Sequence, residues 1–113
     1  MKVAVVGSRS LDESCYRLIG QNMPDGCSEV ISGGARGIDA MAERYAAENG
    51  LVCTVIKPDY RSYERAAPLI RNSSIVAKAD FVLILWDGAS RGSLNVIETC
   101  MKTKKPYKIV LVT

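Results

Sequence analysis

The sequence predicts an α/β fold, a parallel sheet of about five strands with helices on both faces, and three observations carry that reading. Short apolar runs recur along all 113 residues, stretches with helical spacing separate them, and glycine-rich or polar turns mark the junctions. The runs at 3–6, 30–31, 52–56, 81–86 and 107–112 read as five buried strands. They are near-continuously apolar rather than alternating, the pattern of a sheet covered on both faces. Helical spacing links Cys15, Leu18 and Ile19; Ile38, Met41, Ala42 and Tyr45; Ile70, Ser74 and Ala77; and Leu94, Ile97 and Met101. Each set repeats at i, i+3 or i+4 and supplies one core-facing stripe, the third being small and partly polar. Asn49-Gly50 ends the second helix, and Lys104, Lys105 and Pro106 end the last. Strands alternating with helices imply right-handed crossovers and a doubly wound, Rossmann-like, three-layer arrangement.

Composition limits what such a fold does here. One domain spanning 1–113 uses the whole chain, and 48% hydrophobic with 24% charged residues is a globular balance. A net charge of +3 and a pI of 8.7 are mild for a dedicated nucleic-acid binder, so small anionic ligands fit better. Cys15, Cys27, Cys53 and Cys100 form no CxxC pair and there is no His, which argues against zinc and any other metal centre. The apolar run at the start stops at residue 6, too short for a signal peptide or membrane span. The expectation is a cytoplasmic protein with reduced, mostly core-packing thiols. Without His, any chemistry rests on carboxylates or arginines.

In open parallel sheets, ligands bind outside the carboxyl ends of the strands, which singles out the loops at 7–10, 32–39, 58–72 and 87–93. The second, Ser32 to Asp39, reads SGGARGID. Gly33, Gly34 and Gly37 let backbone amides approach an anion, and the following helix offers unpaired N–H groups. Arg36 adds a bidentate donor, while Asp39 either caps its helix or receives a ligand hydroxyl. The spacing is neither GxGxxG nor a P-loop, so taken alone the segment also reads as an ordinary turn. Gly7, Ser8, Arg9 and Ser10 repeat the theme after the first strand, where Ser10 or Asp12 caps the helix that follows. Asp87, Ser90, Arg91, Gly92 and Ser93 repeat it after the fourth, placing Arg9, Arg36 and Arg91 at one sheet edge. The third connection reads as a long functional loop in which Tyr60 or Tyr63 stacks on a base or packs as a lid. Trp86 faces either the pocket or the core.

SGGARGID at 32–39, YERAAPLIRN at 63–72 and FVLILWDGASRGS at 81–93 together resemble the SLOG superfamily, which takes in DprA/Smf and LOG proteins. The match is most similar to its short, single-domain YspA/YpsA-related branch. The resemblance implies a domain that binds or senses a nucleotide or nucleotide-derived ligand, with no required cofactor, and a homodimer. By that similarity, Gly33, Gly34, Arg36, Gly37 and Asp39 form a first phosphate loop, Arg71 and Asn72 a central polar pair, and Ser90, Gly92 and Ser93 a second loop. LOG proteins are phosphoribohydrolases whose motif PGGxGTxxE ends in a catalytic Glu. Counted from Gly92-Ser93, that position is Val96, and Glu98 lies about 200° further around the helix. A hydrolase is therefore an alternative, with Arg71, Asp87 and Glu98, beside Asp39 and Asp59, as candidate catalytic groups. A DprA-like single-stranded DNA-binding module is the other, weakened by mild charge and the lack of a run of stacking aromatics.

Overall fold

In the computed structural model, which describes residues 1–113, strand and helix alternate from end to end. The strands are β1 (Lys2–Gly7), β2 (Glu29–Ser32), β3 (Val52–Val55), β4 (Phe81–Trp86) and β5 (Tyr107–Leu111). They form one all-parallel sheet in the order β3-β2-β1-β4-β5. The helices are α1 (Tyr16–Asn22), α2 (Ile38–Glu48), the single-turn α3 (Tyr60–Tyr63), α4 (Ala67–Lys78) and α5 (Arg91–Thr103).

Period-two alternation divides the core into two layers. Val3 and Val5 of β1 point to one face, where they pack with Ile19 of α1 and Ile38, Met41 and Ala42 of α2. Ala4 and Val6 point to the other, against Ile75 and Val76 of α4 and Val96, Ile97 and Cys100 of α5. Both sides of the sheet are covered, as the apolar runs require. Burial of each large apolar side chain contributes roughly 1.5–3 kcal/mol, and this is the main stabilising term of the fold.

The structure corrects three expectations. Only β1, β2 and β4 are buried; β3 and β5 are the outer strands and most of their residues are exposed. Local composition cannot distinguish a central strand from an edge, because crossovers set the order. The supposed long loop over 58–72 is largely helical. Pro68 stands in the first turn of α4, where a fixed φ and a missing N–H suit helix initiation, so Arg71 and Asn72 belong to a helix. Finally, the buried stripes differ from those picked on hydrophobicity. α4 buries Asn72, Ile75 and Val76 rather than Ile70, Ser74 and Ala77, and α5 buries Ser93, Val96, Ile97 and Cys100 while Leu94 and Met101 are exposed. Both true stripes include a polar residue, Asn72 and Ser93, that an apolar count passes over.

A Cβ on Gly7 would lie 2.5 Å from the carbonyl oxygen of Leu85 and 2.7 Å from Cγ1 of Ile38. Neither the backbone of β4 nor the first residue of α2 has room to retreat. Gly7→Ala is expected to cost about 2–3 kcal/mol, read as a lower urea midpoint at unchanged slope. Gly20→Ala on α1, whose Cβ would meet only the Tyr45 ring at 3.4 Å, is the control and should leave stability equal or higher.

Candidate functional site at the carboxyl edge of the sheet

β1 and β4 are neighbours whose onward connections diverge, β1 toward β2 and β4 toward β5. The loops part there, and a crevice of about 560 Å³ opens between them. Gly7, Arg9 and Ser10 line it after β1, Gly33 and Asp39 after β2 and in α2, and Asp87 and 90–93 after β4 and in α5. Arg71 and Asn72 of α4 line it too, with Arg65 just before that helix, while Val6, Ile75 and Val96 supply apolar wall.

Within the loops, several predicted ligand groups are engaged by the protein itself. Ser8 is fully buried; its N–H donates to the Leu85 carbonyl at 3.1 Å and its Oγ accepts from the Asp87 N–H at 3.0 Å, joining the β1 loop to β4. Ser32 is also fully buried, its Oγ accepting from the Gly34 N–H at 3.2 Å and donating to the Asp39 carbonyl at 3.1 Å. Gly37 caps α2 at φ +76°, where a Cβ would sit 3.1 Å from the backbone of Ser8 and Arg9. Asp12 caps the short turn ahead of α1 by accepting from the Ser14 N–H at 3.0 Å.

The centre of the crevice is a polar chain. Arg71 Nη1 donates to the Gly33 carbonyl at 2.6 Å and Nε donates to Asn72 Oδ1 at 2.9 Å, while Asn72 Nδ2 donates to Asn95 Oδ1 at 3.0 Å. Asp39 is buried beside them and accepts from the Ala35 N–H at 3.3 Å. Burial pushes the Asp39 carboxyl above the usual carboxylate range, against the lowering pull of that N–H and of the Arg71 charge.

Asp87 behaves in the opposite way. It accepts from the N–H of Ala89 at 2.9 Å, the hydroxyl of Ser10 at 2.7 Å and the N–H of Ser90 at 2.8 Å. These donors hold its carboxyl well below the usual range, so it is a fixed anion that organises its loop. Ser90 caps α5 by accepting from the Ser93 N–H at 3.4 Å, and its carbonyl accepts from Trp86 Nε1 at 3.0 Å. Ser93 also lines the crevice, and its Oγ is buried with no hydrogen-bond partner in the protein.

The crevice therefore gathers Gly7, Arg9, Gly33, Asp39, Arg71, Asn72, Asp87, Ser90, Arg91, Gly92 and Ser93. Arg36 and Gly37 line a neighbouring depression on the far side of Arg9, and Gly34 faces Val55 and Lys57. Among the other candidate acids, Asp59 caps α3 by accepting from the Ser62 N–H at 3.1 Å. Glu98 is exposed on α5 outside the crevice, whereas Val96 forms part of its wall. Tyr60 and Tyr63 are exposed on α3, and Trp86 packs against the second core layer; none of the three lines the crevice. Sequence reasoning missed Arg65 and Asn95. The first was hidden in a segment read as loop; the second lies at i+3 from Gly92, a spacing that points it toward α4 only once both helices are placed.

The site and fold define a Rossmann-like domain with an arginine-lined crevice at its switch point. Residues 1–63 match the model of the YspA, cpYpsA-related SLOG family (YAcAr), and the chain belongs to that family. A search among curated proteins finds no match. In fold, the chain is similar to DNA processing protein A (DprA) from Streptococcus pneumoniae, at 20% identity and a TM-score of 0.81, over 99% of this chain and 50% of that one. It is also similar to DprA from Helicobacter pylori, solved to describe its single-stranded DNA binding mode, at 21% identity and a TM-score of 0.73, over 100% of this chain and 66% of that one. The chain thus spans about half to two thirds of these proteins. No helix is long and apolar enough to cross a membrane.

Two outcomes follow from the carboxylates. Asp87→Ala removes the acceptor for two backbone amides, and the N–H groups of Ala89 and Ser90 are expected to exchange markedly faster by NMR while core amides stay protected. The folded-state pKa of Asp39 lies above its unfolded value, so its contribution is most favourable at acid pH and is lost as pH rises through the folded value. The stability of Asp39→Asn relative to wild type should therefore increase from pH 3 to pH 7 in paired thermal melts.

Proposed function

We infer that the chain binds a nucleotide or nucleotide-derived ligand in the crevice between β1 and β4, with its phosphate at the N-terminus of α5. The observation that carries this reading is Ser93, a residue lining the crevice in the first turn of a 13-residue helix, whose buried hydroxyl has no protein partner. Leaving a buried hydroxyl unpaired costs about 1–3 kcal/mol, and an anion at a helix N-terminus satisfies such a donor together with free backbone N–H groups. Around it, Arg9, Arg65 and Arg91 make no ion pair or side-chain hydrogen bond within the protein. Four arginines against two carboxylates give the lining a positive excess suited to phosphate. Asp39, with a carboxylate edge at the crevice, is placed for a ligand hydroxyl.

A second reading, binding of single-stranded DNA, draws on the DprA likeness and on one local feature. Tyr60, Arg61, Tyr63 and Arg65 are all exposed, Arg65 at the crevice, and exposed aromatics interleaved with arginines suit stacking on bases. The crevice itself has no aromatic lining, which favours the small ligand.

Titration calorimetry with AMP, ADP, NAD and ADP-ribose is expected to find a ligand. Ser93→Ala should weaken its binding roughly tenfold while raising the stability of the free protein, because the substitution removes an unsatisfied group. Arg91→Ala should also weaken binding, and Arg36→Ala should not. No binding by any of the four, or wild-type affinity in both Ser93→Ala and Arg91→Ala, would overturn the reading. An oligothymidylate bound at low salt and released by Tyr60→Ala with Tyr63→Ala would instead support the second.

A further inference from the structure

The crevice supplies cations for a phosphate, but its lining contains no aromatic ring. Two tyrosines precede Arg65 in the connection that leaves the carboxyl end of β3 and enters α4. Every residue over 59–66 is exposed, with Tyr60 and Tyr63 at 57% and 48%. Neither ring packs against a core layer, so α3 is held by its own backbone bonds and by the Asp59 cap. Segments with so few buried contacts are the first to move in a folded protein.

α3 meets the crevice at a strained joint. Glu64 has φ +50° and ψ −121°, the conformation that glycine takes at the first corner of a type II′ turn. A side chain makes that conformation costly, and such outliers mark places where strain serves a ligand or a motion. The Glu64 N–H donates to the Tyr60 carbonyl and its own carbonyl accepts from the Ala67 N–H, while its side chain is exposed. Directly after this joint, Arg65, Pro68 and Leu69 line the crevice. Consecutive Cα atoms are about 3.8 Å apart, so the Tyr63 Cα lies at most ~7.6 Å from that of Arg65. Rotation at Glu64 moves α3 as one turn and carries the Tyr63 ring over the rim formed by Arg65 and Leu69.

We infer that α3 is a hinged specificity arm, turning at Glu64 so that Tyr63 stacks on the base of a ligand whose phosphate lies at the N-terminus of α5. The inference rests on the phosphate reading of the crevice and adds what the rest of the ligand must be, a flat heteroaromatic base rather than phosphate alone. Leu69, 52% exposed and lining the crevice, gives that base a second apolar surface. Closing withdraws the Tyr63 ring from water and lets Glu64 leave its strained conformation, and both gains arrive only with a base in place. One ring hinged beside a pocket serves one base, whereas a strand of DNA needs successive stacking platforms.

Titration calorimetry of the full chain with ADP and with pyrophosphate separates the base from the phosphates. Wild type is expected to bind both, ADP about tenfold more tightly, the contribution of one stacked base. Tyr63→Ala should bring ADP to within about twofold of pyrophosphate, and Tyr63→Phe, which keeps the ring, should restore the preference. Glu64→Gly removes the strain from the open form and should weaken ADP several-fold. Pyrophosphate should bind equally to all of these variants, which also shows that each is folded, and Tyr107→Ala on β5 should behave as wild type. Trypsin should cut the free chain after the exposed Arg61, and saturating ADP, but not pyrophosphate, should slow that cut. Binding of neither compound would remove the phosphate reading and the arm with it. Pyrophosphate bound at least as tightly as ADP, an ADP preference that survives Tyr63→Ala, an ADP affinity unmoved by Glu64→Gly, or equal cutting under saturating ADP would overturn the arm alone.

Discussion

The carboxyl end of β1 is held between β4 and the first turn of α2 with no space for a side chain at Gly7. That close approach sets the rest of the site. It allows the Ser8 N–H to reach the Leu85 carbonyl and its hydroxyl to reach Asp87, so the two loops flanking the crevice are tied together at their base. It also brings Ile38 and the start of α2 against β1, which carries the second loop and Asp39 to the same edge. A larger residue at this point would separate the layers where the ligand-facing groups converge.

Around that base, polar groups fall into two sets. Ser8, Ser32, Asp12, Asp59 and Asp87 are engaged with backbone amides and shape the loops. Arg9, Arg65, Arg91 and Ser93 line the crevice without a side-chain partner in the protein. The division is a division of chemistry: short acceptors satisfy N–H groups that tight turns expose, while long cations keep their reach. A pocket organised by acceptors and lined by donors is polarised toward anions before any ligand arrives.

Much of this was legible in the residues. Continuous apolar runs between glycine turns identified all five strands, and their positions at the sheet edge picked out the loops that line the crevice. Glycine and hydroxyl content, however, did not distinguish a side chain that faces inward to hold a loop from one that faces a ligand. Ser8 and Ser93 are alike in sequence, and only the distance to Asp87 or to nothing separates their roles. The stripes of α4 and α5 were misplaced for a related reason. Asn72 and Ser93 lie on buried faces because the crevice, not the core, receives them, and hydrophobicity registers core alone. Arg71-Asn72 was visible through resemblance, but its link to Gly33 needed α4 to be a helix running past that loop.

The bond from Arg71 to the Gly33 carbonyl spans 38 residues of chain, and the crevice draws on residues from Val6 to Val96. No local segment contains enough of it to hold a ligand. The crevice thus exists only when the sheet has closed around β1, since its walls are joined by contacts distant in sequence. Occupancy of such a crevice is thermodynamically inseparable from the folded population of the whole chain: a ligand that filled it would raise the stability of every element at once, and its supply would set how much of the protein persists as well as how much of it is loaded.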